Sequence, residues 1–221
     1  MMLANSDHFA DEVQSFVNEI KELLASSLEG ETTLENFWSN KENKRASFTI
    51  RKSLRIANSL SDRLNLKCVY RLCTNSTGNH LATEASTFKI EFRSTKKFVP
   101  IVRFEYERNA RTKPASHFQF HADSVELGLL LARAGKYETA AQQQNVHFPM
   151  GGDRFRVCIE DIIELLVREF CVVSKPDWER LVQEGRDKYE RVQAETVIRH
   201  NLPLAIDLLV KSGYSVIPPQ D

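Results

Sequence analysis

The order of patterns along this 221-residue chain predicts an α+β protein: an antiparallel sheet of about four to six strands backed by helices, with a helical C-terminal region. Three observations predict it. Between residues 46 and 121 apolar and polar side chains alternate, the period of a half-buried strand. From residue 123 onward apolar side chains recur every three or four positions, the period of a helix. Turn chemistry punctuates the alternating part, most clearly at Cys73-Thr74-Asn75-Ser76-Thr77-Gly78-Asn79 and again at Lys96-Lys97.

Residues 6–28 read as a helix. Ser6 can cap it, and Phe9, Val13, Phe16, Val17, Ile20 and Leu24 keep helical spacing. Asp7, Asp11 and Glu12 suit the positive end of its dipole, and Gly30 ends it. A short second helix is expected over 33–38. Residues 46–57 alternate, with a break expected near Lys52 and Ser53; 57–64 fit a helical turn or a loop. Strands are expected over 66–72, 81–84, 87–93, 99–107 and 115–121. Phe88, Ile90, Phe92, Val102, Phe104, Tyr106, Phe118 and Phe120 then make an apolar face, with charged residues and histidines opposite. Helices are expected over 124–134, 159–170, 175–200 (opened by Pro176) and 202–211, closed by Gly213. Residues 136–145 read as a loop or weak helix. Residues 146–150 read as a short extended piece before a turn at Gly151-Gly152. The chain is thus expected to hold an α+β domain at 1–173 and a helical extension at 174–221 packing on it.

Composition narrows the class. Hydrophobic residues make up 42% and charged residues 27%, ordinary for a soluble globular protein with one sizeable core. No run approaches the roughly 20 apolar residues of a membrane helix. The first residues are acidic, the wrong chemistry for a signal or transit peptide. The expectation is a cytoplasmic protein with no membrane partner and reduced thiols at Cys68, Cys73, Cys158 and Cys171. Net charge is zero but unevenly spread. Residues 41–113 carry 17 Lys or Arg against six Asp or Glu, whereas residues 1–40 carry one lysine against eight carboxylates. A basic middle between acidic ends either attracts a polyanion such as RNA or pairs internally with the acidic helices.

The chemistry concentrates in two stretches about thirty residues apart. One is Ser116-His117-Phe118-Gln119-Phe120-His121; the other is Val146-His147-Phe148-Pro149-Met150-Gly151-Gly152-Asp153-Arg154-Phe155-Arg156. Imidazole moves protons near neutral pH. His8, His80 and His200 read as surface residues. A zinc site is disfavoured: four strand steps put the His117 and His121 backbones about 13 Å apart, too far for one ion. No cofactor is called for, since no phosphate-loop or dinucleotide spacing is present. Metal-independent RNA cleavage needs a base, an acid and cations beside the phosphate. His117, His121 and His147 suit the proton transfers, and Glu105 can orient an imidazole or act as the base. Arg103, Gln119, Arg154 and Arg156 are the expected substrate contacts. The plainer alternative is a solvated charged sheet face.

Residues 101–170 run from Ile-Val-Arg-Phe-Glu-Tyr-Glu-Arg-Asn-Ala through the histidines to Arg-Val-Cys-Ile-Glu-Asp-Ile-Ile-Glu-Leu-Leu. This order resembles the layout of TumE-like toxins of bacterial toxin–antitoxin operons. The resemblance covers about a third of the chain and rests on order and residue type. It implies a toxin or defence role acting on RNA, a restraining antitoxin-like partner, and a site containing Arg103, Glu105, His117, His121 and His147. The competing expectation is a non-catalytic interaction or assembly module, built on the apolar stripe Trp178, Leu181, Val182, Tyr189, Val192 and Ile198 of a charged C-terminal helix.

Overall fold

The computed structural model of the chain describes residues 3–57, 63–75, 78, 80–94, 97–150 and 156–217, with side chains from residue 8 onward. Helix α1 (Leu3–Ser27) is followed by six strands: β1 (Thr32–Asn40), β2 (Arg45–Leu54), β3 (Leu64–Thr74), β4 (Leu81–Arg93), β5 (Phe98–Glu107) and β6 (Ser116–Phe120). Two short helices, α2 (Val125–Arg133) and α3 (Tyr137–Ala141), and a 3₁₀ turn at Gln143–Asn145 lead to β7 (Phe148–Pro149). Three helices follow: α4 (Ile159–Phe170), α5 (Trp178–His200) and α6 (Leu202–Lys211). The fold class is α+β. Its one sheet has seven strands in the order β1 to β7, each antiparallel to its neighbours.

Register divides the sheet into two faces. Ile50, Cys68, Phe88, Phe104, Phe118 and Phe148 are successive cross-strand partners, so one apolar row crosses six strands. Against this face pack Phe9, Val13, Val17 and Leu24 of α1 and Ile159, Ile162, Ile163 and Leu166 of α4, all in one buried cluster. Phe48, Tyr70 and Phe16 add stacked and edge-on ring contacts at 5.1–6.1 Å.

Four local expectations are corrected. Residues 33–38 form β1, not a helix. Leu34, Phe37 and Trp38 have helical spacing because a bulge at Asn36, whose φ is +50°, shifts the register between Glu35 and Trp38. No break occurs at Lys52. Its side chain lies on the apolar face, fully buried, and its Nζ donates to the Gly30 carbonyl at 2.7 Å. Burial and the nearby Lys175 push the Lys52 ammonium down to about 8. The expected strands at 81–84 and 87–93 are one strand, since an irregularity in the pairing with β3 absorbs the pattern change. Helix α5 begins at Trp178; Asp177, with φ +63°, holds Pro176 outside it.

The chain divides into two compact units, residues 1–182 and 183–221. The first holds the sheet and its helices. The second holds the rest of α5, together with α6. No helix among the described residues is long and apolar enough to cross a membrane.

Gly30 links α1 to β1 with φ +101°, and a Cβ there would run into the Ser53 carbonyl oxygen. Its own carbonyl is the acceptor for Lys52. Gly30→Ala is therefore expected to cost about 2–4 kcal/mol, from left-handed strain and overpacking together. Urea denaturation checks this; an unchanged midpoint would contradict it.

Candidate functional site

The polar face of the sheet gathers the site through register. In β5, Arg103 and Glu105 point away from the core, and in β6 so do His117 and Gln119. Pairing sets Arg103 opposite Gln119 and Glu105 opposite His117. The third strand arrives by a different route. After β6 the chain leaves the sheet through α2 and α3 and returns as β7, where Phe148 pairs with Phe118 and stacks on it at 5.0 Å. That pairing brings the preceding residue, His147, to Gln119. The excursion is closed at its stem by Gln143. Its amide accepts from the Ser124 backbone N–H at 2.8 Å and donates to the Ser124 carbonyl at 2.7 Å.

The distances are short. The His117 and His147 rings lie edge-on with centroids 4.7 Å apart. The Gln119 amide nitrogen is 3.1 Å from His147 Nε2. Glu105 sits between two cations, Lys113 Nζ at 3.0 Å and Arg103 Nε at 3.2 Å, with His117 Nε2 at 3.2 Å. His117 Nδ1 is 2.8 Å from the Pro114 carbonyl, which can only accept, so Nδ1 carries the proton. In the neutral ring, Nε2 then turns a lone pair toward the Glu105 carboxylate, and a proton on it would turn that contact into an ion pair.

His117 is wholly buried, whereas the Glu105 and Arg103 side chains keep 15% and 27% of their surface. Solvent can reach the latter two and not the former, so His117 stands behind Glu105.

Burial works against charge on both partners. It would raise the Glu105 carboxyl, but the Lys113 hydrogen bond and the charges of Arg103, Lys113 and His117 outweigh it, and the net shift is downward. Burial also pushes His117 down. Lys113 and His147 add to this, against the opposing pull of the Pro114 hydrogen bond and Glu105. His121 is lowered by burial, Arg103 and Lys89.

Four buried polar atoms here have no hydrogen-bond partner: Arg103 Nε, His117 Nε2, Gln119 Oε1 and His121 Nε2. The first two are near Glu105 but off the direction of a hydrogen bond. Buried polar groups are paired in the great majority of cases. Four of the seven such atoms found among the described residues lie on this polar face, in β5, in β6 and in the residue that follows β6.

Of the expected site residues, the structure brings together Arg103, Glu105, His117, Gln119 and His147. His121 shares the polar face beside Arg103 and Lys89, about 13 Å along the strand from His117. Arg156 is not in the group. It lies over the Tyr106 ring at 5.4 Å, and Tyr106 shares the face of Phe104, opposite to that of Glu105. Arg154 and the Gly151-Gly152 turn lie outside the described residues. His80 and His200 are exposed, and His8 is 3.7 Å from Glu12 on the surface of α1. Lys113 was not anticipated. Its only sequence signal is a Lys-Pro step immediately ahead of β6. No group of three His, Cys, Asp or Glu side chains among the described residues is placed to hold a metal, and the four cysteines are free.

Comparison with protein-family models, with curated proteins and with solved structures gives no match.

The folded-state value of His117 is depressed, so the unfolded chain takes up its proton first on acidification. Stability from this residue is complete above the unfolded value near 6.5 and falls as pH drops below it. His117→Asn retains a donor for Pro114 and cannot titrate. The wild-type Tm is expected to fall more steeply than that of the variant between pH 7.5 and 5.5. Parallel curves would contradict the assignment.

Proposed function

We propose that the polar sheet face binds a phosphodiester and that the protein cleaves RNA without a metal. The observation that carries this reading is the joining of Glu105, Arg103, Lys113 and His147 around buried polar atoms that lack partners. A phosphate offers acceptors to Arg103 and Lys113 and so competes with Glu105 for them. As it draws them away, the Glu105 carboxylate loses the charges that hold its proton affinity down. Its affinity then rises toward what a general base needs.

Glu105 accepts the proton of the ribose 2′-hydroxyl as that oxygen bonds to phosphorus. His147, as imidazolium, gives a proton to the departing 5′ oxygen. The products are a 2′,3′-cyclic phosphate and a 5′-hydroxyl, so protons and bonds balance. Arg103 and Lys113 offset charge on the phosphorane. Gln119 holds His147 in both protonation states, since a half-turn of its amide exchanges donor for acceptor. The likeness of residues 101–170 to TumE-like toxins accords with this chemistry and adds a role in toxicity restrained by an antitoxin-like partner.

Glu105→Gln and His147→Ala should each lower kcat/KM on a ribodinucleotide by about 10²–10⁴-fold, with melting temperature held as the control. His147→Ala should also relieve any growth arrest that expression of the wild type causes. Wild-type rates in both variants would remove the catalytic reading.

A second reading, assembly through the terminal helices, is favoured by α6. Leu202, Leu204, Ile206, Leu208, Leu209 and Val210 are 40–57% exposed, and the helix buries no residue. Its acid and base, Asp207 and Lys211, pair with each other at 2.7 Å. The surface is thus apolar and without net charge, complementary to itself as an isologous contact requires. The occupant under this reading is a second copy of the chain. Light scattering should give a dimer mass for the wild type and a monomer mass for Leu204→Gln/Leu208→Gln. A monomeric wild type at micromolar concentration would rule the contact out.

A further inference from the structure

The register of β2 to β6 lines up more than the site. Arg51 is the cross-strand partner of Lys67, Lys67 of Lys89, Lys89 of Arg103, and Arg103 of Gln119. Four cations therefore stand directly opposite one another on adjacent strands, on the same face as Glu105 and His147. Like charges in that relation are destabilising, so stability does not account for three such contacts in a row. Carboxylates relieve part of the repulsion. Arg51 meets Glu35 at 2.9 Å and Glu91 at 3.4 Å; Lys89 meets Glu91 at 3.9 Å; Arg103 meets Glu105 at 3.2 Å. Lys67 has no carboxylate within ion-pair distance among the described residues. Burial and the charges of Arg103 and Lys67 push Lys89 down, against the pull of Glu91 and Glu105.

We propose that this row is the track for one RNA strand, laying about four to six consecutive phosphates across the sheet and delivering the scissile one to Glu105 and His147; the proposal rests on the phosphodiester reading of that site. Length supports it. Five residues on five neighbouring strands span about 19 Å at the usual strand spacing of about 4.8 Å. A nucleic-acid strand advances about 3.4 Å per nucleotide when stacked, and more when extended. Width supports a single strand. The row is one side chain wide, with Glu35 and Glu105 on one side and Glu91 on the other. A second backbone would lie against those carboxylates.

Lys67→Ala tests the track without touching the catalytic group. Binding is read by fluorescence anisotropy with a labelled 2′-O-methyl octaribonucleotide, which cannot be cleaved, over a salt series. Cleavage is read separately on a ribodinucleotide. The variant should bind the octamer about three- to tenfold more weakly and lose about 0.7 from the salt slope, the contribution of one phosphate on a single strand. It should cleave the dinucleotide at the wild-type rate and melt no lower than the wild type, since a repelling charge has been removed. Unchanged octamer affinity and slope would overturn the track, while leaving the site standing if Glu105→Gln still abolishes dinucleotide cleavage. Weakened octamer binding in a protein that cleaves nothing would keep the track and remove the catalysis.

Discussion

The pairing of β5 with β6 is the constraint on which the rest hangs. A slip of one residue would send Phe104 and Phe118 to the charged face and Glu105 and His117 into the core. The apolar row from Ile50 to Phe148 opposes that slip at every strand it crosses, because each member is buried or half-buried against helices or neighbouring rings. The charged face inherits its order from this packing. Glu105 meets His117, and Arg51, Lys67, Lys89 and Arg103 form a line, because the residues between them on each strand are fixed underneath.

The site is therefore made of two kinds of residue. Arg103, Glu105, His117 and Gln119 are held on strands of the sheet and move only if it does. His147 and Lys113 come from connections, one closed by the Ser124–Gln143 clamp and the other by the short link into β6. The rigid part supplies the carboxylate and the arginine. The connecting parts supply an imidazole beside Gln119 and an ammonium beside Glu105. Three buried atoms without partners, Arg103 Nε, His117 Nε2 and Gln119 Oε1, lie where these two sources meet.

Most of the sheet was legible in the sequence because its alternation has period two and its turns carry polar residues. The two faces of β5 and β6 followed directly, and with them Arg103, Glu105, His117 and Gln119. The meeting of His147 with that group was legible only as a possibility of topology, since nothing local states where a chain returns after two helices. Arg156 was misplaced for the same reason: the side of the sheet on which it passes depends on α4 docking against α1, a distant contact. β1 was hidden by a single left-handed residue, Asn36, which turns a strand's spacing into a helix's. Lys113 was hidden by its loop, because side chains outside a periodic element have no predictable direction.

The segment between β6 and β7 has an architectural consequence. Its two ends are joined by one glutamine to one serine backbone, so everything between them is an appendage on a closed stem. Lengthening a closed loop costs little, since its entropy grows only with the logarithm of its size. The tip, with Val125, Leu129, Leu130 and Tyr137 open to solvent, is free to diversify or to be exchanged for another module. The sheet beneath keeps His147 beside Gln119 as long as the stem still returns the strand that carries Phe148 to its place.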